Sequence, residues 1–372
     1  MNDIKKIYWF ANPYSPHVRH WFEILEHVDG IDVELIHIHH KRKICEINSR
    51  KLKASTPLPL FFRFLPELIQ YFLLGIFFRF TNKDNCLVHA HNTSGYGLSA
   101  LLSGSDYGIT TYGSEIYQCV KRGLIYKTLI KRILLKSLFI TSASQLMTKS
   151  LKSLFPIDNS KIFEFSLGVS DTFKFSDAKR REQRKKLALQ PTAKLFVINR
   201  RTAPLYQTAE IVSMFLECYK DFDNYKLLIL AGDSDGNYLD NIKGTTANTT
   251  QVTYVEGFID QKSLSSLLCA SDFFISTPKT DQLSSSILEG IICKSVPILT
   301  DLIAYKPIAK AALLISTKNF KPELKQVFEF IKEQGDDEYA TLISSGASLI
   351  GEYKIKNVAG IYIGMISEFK ST

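Results

Sequence analysis

The stretch that most constrains the fold is residues 275–300, where an apolar run, a polar loop and a second apolar pattern follow one another. The first run ends at Ser276, and the polar loop extends through Ser286. Apolar side chains then recur with helical spacing between Ile287 and Ile292. This order predicts a strand, a loop and a helix, which is the repeating unit of parallel α/β sheets.

The polar loop of this stretch favours a ligand that carries both phosphate and hydroxyl groups. Its serines can cap the predicted helix, and the free N–H groups and positive dipole end of that helix favour an anion. Asp281 and Glu289 lie on either side of the serines, and carboxylates accept hydrogen bonds from sugar hydroxyls. A nucleotide sugar would use all of these groups. The alternative is a surface loop that happens to be acidic.

Length and cysteine spacing narrow the class of protein. The chain has 372 residues, 45% of them hydrophobic, which is enough for two cores and predicts two domains. The longest apolar candidate for a membrane span, residues 58–80, is interrupted by charged residues. The N-terminal apolar segment is too short for a signal peptide. The six cysteines form no paired motif, which favours reduced thiols in the cytoplasm over disulfides or a zinc site.

The positive charge is concentrated in the first half of the chain. Residues 1–170 contain 21 Lys and Arg against 13 Asp and Glu, a net charge of +8, whereas the remainder has 25 against 24, or +1. Within that half, residues 41–53 are basic, 58–80 are rich in aromatic residues, and 121–136 alternate cations with long aliphatic side chains. Such amphipathic helices lie in the headgroup region of anionic membranes, so we expect peripheral membrane contact. A solvated helix face is the alternative, and nucleic acid is disfavoured because no binding motif is present.

The N-terminal residues predict a second parallel sheet. Residues 7–11 and 31–38 are predicted strands, joined by a loop over 12–19 and a helix over 20–26. Active sites of such sheets lie at the carboxyl ends of the strands. His17 and Arg19 lie in that loop and could hold an acceptor or its phosphate, the alternative being a solvated loop.

Two further predicted strands of the first half end in polar groups. One ends in His89 and His91, and the next ends in Tyr112 and Glu115. Histidines two residues apart on a strand share one face, but no third ligand lies nearby, so we expect no metal there.

These motifs resemble those of family 4 glycosyltransferases. The 275–300 stretch is similar to the donor-site signature of one branch, Asp-x-x-Ser-x-Ser-Leu-Leu-Glu. The first half resembles the family's His-x-Arg-x-Trp-like segment, its His-x-His strand and its Thr-x-His-Gly-x-Asp turn. The residues that carry the resemblance are Asp281, Ser284, Ser286, Ile287, Leu288 and Glu289, with His17, Arg19, Trp21, His89, His91, Tyr112 and Glu115 in the first half.

The resemblance implies an α/β protein with two Rossmann-like domains facing across a cleft, the GT-B arrangement. The N-terminal acceptor-side domain is expected over residues 1–173 and the linker, a charged helix, over 174–191. The C-terminal domain, which would bind the nucleotide sugar, is expected over 192–350. A last helix over 351–372 is expected to pack back towards the first domain.

The resemblance also assigns roles to individual residues. Asp281 would contact sugar hydroxyls, Glu289 the ribose, and Arg201 the diphosphate, and these three are the predicted catalytic residues. The predicted donor-binding residues are Arg200, Arg201, Tyr206, Gly257, Ile259, Lys279, Asp281, Leu283, Ser284, Ser285 and Glu289. The predicted acceptor-binding residues are His17, Arg19, His91, Tyr112 and Glu115.

The sequence departs from the family pattern at several positions. Tyr112 stands where the family has histidine, and Glu115 where it has aspartate. Tyr206 replaces a lysine that would contact the diphosphate, and Lys279, Arg200 or a divalent cation would have to compensate. Lys294 stands where a glycine usually ends the helix. We nevertheless expect no cofactor and no required metal.

The function that the resemblance implies is transfer of a hexose, with retention of configuration, from a nucleotide sugar to a lipid-linked glycan in surface polysaccharide biosynthesis. Such an enzyme would be cytoplasmic and peripheral on the inner face of the cell membrane. Two alternatives remain open: a nucleotide-sugar epimerase of the same fold, and a catalytically silent subunit that binds sugar nucleotides. Tyr112 and Tyr206 motivate the second alternative.

Overall fold

A computed structural model of the chain describes residues 6–40, 52–81, 86–117, 119, 121–164, 166–232, 234–335 and 337–369. The chain divides into two compact units. Unit 1 comprises Met1–Gly168 and Ile355–Thr372, and unit 2 comprises Val169–Lys354. The charged helix expected in a linker therefore belongs to unit 2.

Unit 1 is built on a seven-stranded sheet in its described residues, in which every paired strand is parallel. The strands are β1 Lys6–Phe10, β2 Asp32–Ile36, β3 Lys53–Ser55, β4 Cys86–His91, β5 Asp106–Thr110, β6 Ile140–Ser142 and β7 Ile162–Glu164. The helices between them are α1 Pro16–Glu26, α2 Glu67–Thr81, α3 Gly95–Ser103, α4 Ser114–Tyr117, α5 Leu124–Lys136 and α6 Gln145–Leu154. Short 3₁₀ helices span Leu60–Phe64 and Asn159–Lys161.

Unit 2 contains a six-stranded parallel sheet in its described residues. The strands are β8 Lys194–Ile198, β9 Tyr225–Leu230, β10 Val252–Val255, β11 Phe273–Ser276, β12 Val296–Thr300 and β13 Leu313–Ile315. The helices are α7 Asp177–Lys186, α8 Thr208–Tyr219, α9 Gly236–Thr246, α10 Gln261–Ala270, α11 Ser285–Ile292, α12 Phe320–Glu333 and α13 Asp337–Leu349. Short 3₁₀ helices span Pro204–Tyr206, Ile303–Ala311 and Ile350–Tyr353.

Both sheets have the strand order of doubly wound nucleotide-binding folds. In unit 2 the order is β10-β9-β8-β11-β12-β13, and in unit 1 it is β3-β2-β1-β4-β5-β6-β7. Each chain path therefore reverses direction across the sheet between its first and fourth strands. Ligands of such sheets bind at the carboxyl ends of those two strands. The predicted α/β fold with two Rossmann-like units is confirmed.

Each sheet buries apolar side chains on both faces, as parallel sheets do. In unit 2, one core lies around Phe196 and Phe215 and the other around Phe274 and Leu288. In unit 1, one core forms against α2, α3 and α5, and the other forms against α1. The last helix, α14 (Ile355–Glu368), completes this second core through Val358 and Tyr362. The strand ends are thereby fixed by packing on both sides.

Helix α1 begins earlier than the sequence pattern predicts. We expected a loop over 12–19 and a helix from residue 20, but the helix starts at Pro16. Proline is favoured at the first helical position because its φ is already helical. An N–H at this position would have no partner within the helix, so its absence costs no hydrogen bond. Arg19 therefore lies in the first turn of a helix, while the side chain of His17 lies outside the described part of the chain.

None of the helices in the described part of the chain has both the length and the apolar character needed to cross a bilayer. Five of the six cysteines, Cys86, Cys119, Cys218, Cys269 and Cys293, lie in that part, and all five are free thiols. Cys45 lies outside the described residues.

Candidate active site

The candidate donor site of unit 2 lies at the carboxyl ends of β8 and β11, the two strands between which the chain path reverses. Several hydrogen bonds join the loops that follow these strands. The Lys279 N–H donates to the Leu205 carbonyl at 3.0 Å, and the Gln207 amide donates to the Thr277 carbonyl at 2.8 Å. The Thr277 hydroxyl donates to the Tyr206 carbonyl at 3.4 Å. The site is therefore built on loops that are tied to each other.

A buried ion pair between Arg200 and Asp281 forms the centre of this site. Arg200 Nη2 lies 2.8 Å from Asp281 Oδ2, with the two side chains only 9% and 16% exposed. Burial disfavours the charged guanidinium, but Asp281 and then Tyr206 outweigh it and raise the pKa of Arg200. The site therefore contains a permanent cation held in one place.

The serines at the start of α11 bind Arg200 rather than capping their own helix. Ser284 is the N-cap residue, but its side chain makes no cap hydrogen bond, which corrects our expectation that these serines cap the helix. Arg200 Nη1 donates to Ser284 Oγ and, at 3.2 Å, to Ser286 Oγ. The two hydroxyls lie 2.7 Å apart. A charged donor attracts the hydroxyl oxygens more strongly than a backbone N–H does. The guanidinium thus lies beside the first turn of α11.

Of the two adjacent arginines, the structure brings Arg200 to Asp281, whereas Arg201 is exposed. Tyr206 packs against Arg200, with the guanidinium 4.8 Å from its ring centroid and Nη2 3.3 Å from its hydroxyl. Lys279, another predicted donor contact, has an exposed side chain.

Glu289 lies in the second turn of α11 and is buried. The next residue is glycine because α11 packs directly on β11: a Cβ on Gly290 would lie 2.3 Å from the Phe274 ring. Of the other predicted donor residues, Leu283 and Ile259 are half-buried and pack against the core on this face, and Ser285 is the first residue of α11. Glu289 is therefore a buried carboxylate on a helix that is fixed against the sheet.

Gly257 follows β10 in a backbone conformation that requires glycine. Its φ is +83°, and a Cβ on Gly232, at the end of β9, would lie 2.1 Å from the Gly257 carbonyl oxygen. The two strand-end loops therefore touch through backbone alone. Gly257 is predicted to bind the donor, and the structure places it in an exposed loop after β10.

Tyr305 belongs to this site, although its sequence pattern did not identify it. It lies in the 3₁₀ helix after β12, is buried, and donates a hydrogen bond from its hydroxyl to Asp281 Oδ2 at 2.7 Å. Burial, followed by the nearby Asp281 charge, raises the pKa of Tyr305, so the hydroxyl keeps its proton. Asn199 is a second such residue, and its amide donates to the Ser286 carbonyl at 3.1 Å. A buried tyrosine just past a strand end was the available sequence signal, since its hydroxyl needs a partner.

Unit 1 brings three predicted acceptor residues together at the ends of β4 and β5. His91 Nδ1 lies 3.2 Å from the Tyr112 hydroxyl, and the Tyr112 N–H donates to Glu115 Oε1 at 3.0 Å. Thr93 donates to the same carboxylate oxygen at 3.4 Å. Glu115 therefore fixes the turn that carries Tyr112.

The histidines of this edge are neutral at physiological pH. Burial, reinforced by the neighbouring His89, holds the pKa of His91 well below its ordinary value of 6.5. His91 Nε2 is buried and has no hydrogen-bond partner among the described residues. Burial also lowers the pKa of His89 to about 3, and its ring contacts Thr110 Oγ1 at 2.8 Å and the Tyr362 hydroxyl at 3.1 Å. His89 is therefore part of the core, whereas His91 keeps one ring nitrogen, Nε2, without a hydrogen bond among the described residues.

The described residues contain no group of three or more His, Cys, Asp or Glu side chains that could hold a metal ion.

Comparison with known proteins identifies the fold. No protein-family model matches this sequence, and no curated protein matches it. HepE from Anabaena, solved in complex with UDP and glucose, superposes with a TM-score of 0.75 over 98% of this chain and 100% of its own, at 11% identity. Sucrose-phosphate synthase from Thermosynechococcus elongatus gives 0.76 over 99% and 100%, at 15% identity. WaaG, a glycosyltransferase of lipopolysaccharide biosynthesis, gives 0.74 over 95% and 97%, at 12% identity.

These similarities show a shared fold over nearly the whole chain. The fold is that of GT-B glycosyltransferases, with two Rossmann-like units. HepE has been solved with UDP-glucose, UDP alone, and UDP with glucose.

Proposed function

We propose that this protein is a nucleotide-sugar-dependent glycosyltransferase of family 4 that transfers a hexose, with retention of configuration, to a hydroxyl of a lipid-linked glycan. The observation that carries the proposal is the position of Arg200. A buried, permanently charged guanidinium lies beside the first turn of α11, at the point of the sheet where nucleotides bind. The complexes of HepE with UDP-glucose, a protein of the same fold, support it.

In the proposed reaction, Arg200 and the backbone N–H groups at the start of α11 bind the diphosphate of the donor. Negative charge builds up on this group as the glycosidic bond breaks, so fixed positive potential there lowers the barrier. Asp281 Oδ2 holds Arg200 and Tyr305, while Oδ1 accepts no hydrogen bond from the described residues. We propose that Oδ1 accepts a hydrogen bond from a sugar hydroxyl and that Glu289 binds the ribose.

On the acceptor side, we propose that His91 and Tyr112 bind the hydroxyl that receives the sugar. A neutral imidazole with an unpartnered buried nitrogen can accept a hydrogen bond from that hydroxyl. In that case Nδ1 carries the ring proton and donates it to the Tyr112 hydroxyl, 3.2 Å away.

We also propose that unit 1 contacts the cytoplasmic face of an anionic membrane. The 3₁₀ helix Leu60–Phe64 and the first turns of α2 expose a series of large apolar side chains, and so does the start of α5. Phe64 is 74% exposed with Arg63 stacked on its ring, while Leu124 and Ile125 are 82% and 89% exposed beside Lys121 and Arg122. Exposed apolar groups among cations suit the headgroup region of anionic lipids. The basic segment 41–51 lies outside the described residues.

Binding of nucleoside diphosphates to the purified protein tests the donor assignment. UDP, GDP and ADP are titrated by calorimetry, and we expect one of them to bind and to raise the melting temperature. Nucleotide sugars with the same base are then incubated with and without an extract of lipid-linked glycans. Acceptor-dependent release of nucleotide supports transfer, acceptor-independent conversion of the sugar indicates an epimerase, and binding without turnover indicates a silent subunit. Activity that persists in EDTA would support the proposed independence from metal.

Co-sedimentation with vesicles tests the membrane contact. We expect wild type to bind phosphatidylcholine vesicles containing phosphatidylglycerol but not phosphatidylcholine alone. The double variant Phe61→Ser/Phe64→Ser should bind at least about tenfold more weakly, because it removes two apolar groups from the interface. Phe330→Ser changes an exposed phenylalanine of unit 2 and serves as the matched control. Equal binding by wild type and the double variant would exclude this surface.

A further inference from the structure

The geometry points to Tyr305 as a positioning residue of the donor site: its hydroxyl fixes the Asp281 carboxylate, which in turn holds the Arg200 guanidinium beside the start of α11. This inference rests on the proposed function, because it concerns how the same site prepares its one buried cation for a diphosphate. It assigns a role to a residue outside the donor signature.

The contacts form a chain that runs across three strand ends. Tyr305 follows β12, Asp281 follows β11, and Arg200 follows β8, and these strands are neighbours in the sheet. Tyr305 donates to Asp281 Oδ2 at 2.7 Å, and Arg200 Nη2 lies 2.8 Å from the same oxygen. A carboxylate oxygen that accepts from two sides in this way has little freedom to rotate. The other oxygen of this carboxylate, Oδ1, is left to accept hydrogen bonds from other partners.

Tyr305 is itself firmly held. Its ring is 1% exposed and packs in the core on this face of the sheet. The loop that carries Asp281 is also anchored, because the Thr300 hydroxyl at the end of β12 donates to the Pro278 carbonyl at 2.8 Å. The hydroxyl of Tyr305 is therefore a fixed point, and an aliphatic side chain at this position could not replace it.

The need for such a support follows from the charges of the site. Tyr206 occupies a position where related donor sites are expected to have a second cation, and it supplies a ring and a hydroxyl to Arg200 instead. Arg200 is the buried cation beside the first turn of α11, so its orientation bears directly on its contact with a diphosphate. A preorganised cation loses less conformational entropy when the ligand binds.

Calorimetry with a nucleoside diphosphate tests this role. The probe is whichever of UDP, GDP and ADP wild type binds. Tyr305→Phe removes only the hydroxyl, and we expect it to weaken binding of the probe about tenfold, since a hydrogen bond to a charged group is lost. Tyr219→Phe is the matched control: Tyr219 is buried in the same unit and donates to the Phe328 carbonyl at 2.6 Å, away from the site. It should lower the melting temperature and leave binding of the probe within about twofold of wild type.

A double-mutant comparison separates positioning from general structural support. Because Tyr305 acts through Asp281, Tyr305→Phe should weaken binding of the probe no further in the Asp281→Asn background. In a transfer assay, Tyr305→Phe should raise the KM for the donor more than it lowers kcat. Wild-type affinity in Tyr305→Phe, or fully additive losses in the double variant, would overturn the inference while the proposed function stands. Failure of wild type to bind any of the three diphosphates would overturn the proposed function, and this inference with it.

Discussion

The two units share a strand order but differ in the chemistry of their candidate sites. In unit 2, the ends of β8 and β11 carry a buried ion pair, Arg200 with Asp281. In unit 1, the ends of β4 and β5 carry a neutral imidazole and an aromatic side chain, and His91 contacts Tyr112. In sheets of this kind the topology sets the edge at which a ligand binds, and the strand-end side chains set the charge that suits it. A diphosphate suits the first site and a hydroxyl the second.

The distribution of histidine sharpens this difference. All eight histidines of the sequence lie between residues 17 and 91, so unit 2 contains none. Unit 2 holds its site together with the Arg200–Asp281 ion pair, whereas unit 1 combines buried imidazole and aromatic rings with the Glu115 carboxylate. We therefore expect the two units to differ in the charge of their ligands and in their response to acid. We also expect them to differ in the backbone strain at the ends of equivalent helices.

The largest expected effect comes from removing the cation of unit 2. Arg200→Ala should weaken binding of a nucleoside diphosphate at least about 100-fold, because two charge-assisted hydrogen bonds, together worth about 3 kcal/mol, are lost. Arg201→Ala, which changes an exposed arginine next to it, should weaken binding by less than about threefold. Calorimetry on both variants measures the difference.

This pair of variants also decides between the two arginines. Because Arg200→Ala leaves Asp281 buried without its cation, the melting temperature without ligand must be measured as well. A loss of affinity in Arg201→Ala as large as in Arg200→Ala would show that the exposed arginine binds the diphosphate, as the sequence pattern alone suggests.

Acid should destabilise unit 1 before unit 2. The pKa of His89 is about 3 in the folded chain against an ordinary value of 6.5, so the unfolded chain binds a proton that the folded chain excludes. Above pH 6.5 His89 does not oppose folding. As the pH falls below 6.5, the free energy of unfolding decreases because of this group, by about 2 kcal/mol at pH 5. Hydrogen exchange of the full chain at pH 7 and pH 5 should show weaker protection of β1 and β4, with β8 and β9 as internal controls.

This acid response depends on the imidazoles and not on the carboxylates, whose ordinary pKa values lie below 5. His91, whose pKa is also lowered by burial and by His89, should add to the effect in the same direction. An equal loss of protection in both units at pH 5 would contradict the assignment.

The acceptor side of the comparison is tested by His91→Gln. Glutamine keeps a neutral polar group but cannot reproduce the position of Nε2, so the transfer rate should fall about tenfold, as expected for one lost hydrogen bond. Binding of the nucleoside diphosphate should stay within about twofold of wild type, because the donor site lies in unit 2. His37→Gln, a partly exposed histidine of the same unit, is the control. Weaker donor binding in His91→Gln would contradict the assignment of the donor site to unit 2 and the acceptor site to unit 1.

The sequence predicts the fold well because strand-end loops and helical spacing repeat along the whole chain. It also draws attention to Asp281 and Glu289, which lie within one motif, and the structure pairs Asp281 with Arg200. It names Arg201 for the diphosphate, whereas the arginine that the structure pairs with Asp281 is Arg200, in a bend after β8 that the sequence pattern does not mark. It missed Tyr305, which reaches Asp281 only because β11 and β12 are neighbours in the sheet. Contacts between strand ends depend on sheet order, and a sequence pattern records that order only indirectly.

The smallest expected effect concerns two topologically equivalent helices. Helix α3 follows β4 and is followed by Gly104, at φ +73°, whereas α11 follows β11 and is followed by Cys293 and then Lys294, at φ +61°. A side chain in this left-handed region costs about 1 kcal/mol relative to glycine. Lys294→Gly should therefore raise the free energy of unfolding by up to about 1 kcal/mol, measured by urea denaturation. The gain is reduced by the loss of a cation–π contact with Phe175, at 4.4 Å.

Two further variants separate backbone strain from the side-chain contact. Lys294→Ala removes the ammonium but keeps the Cβ, so it should lower stability by about 0.5 kcal/mol. Gly104→Ala introduces the same strain into unit 1, where the nearest atom to the new Cβ, Arg79 Nε, lies at 3.5 Å, and it should cost about 1 kcal/mol. If Lys294→Gly is no more stable than Lys294→Ala, strain at the end of α11 is not what distinguishes it from α3. In that case the contacts of the Lys294 side chain, such as the one with Phe175, compensate for its left-handed backbone conformation.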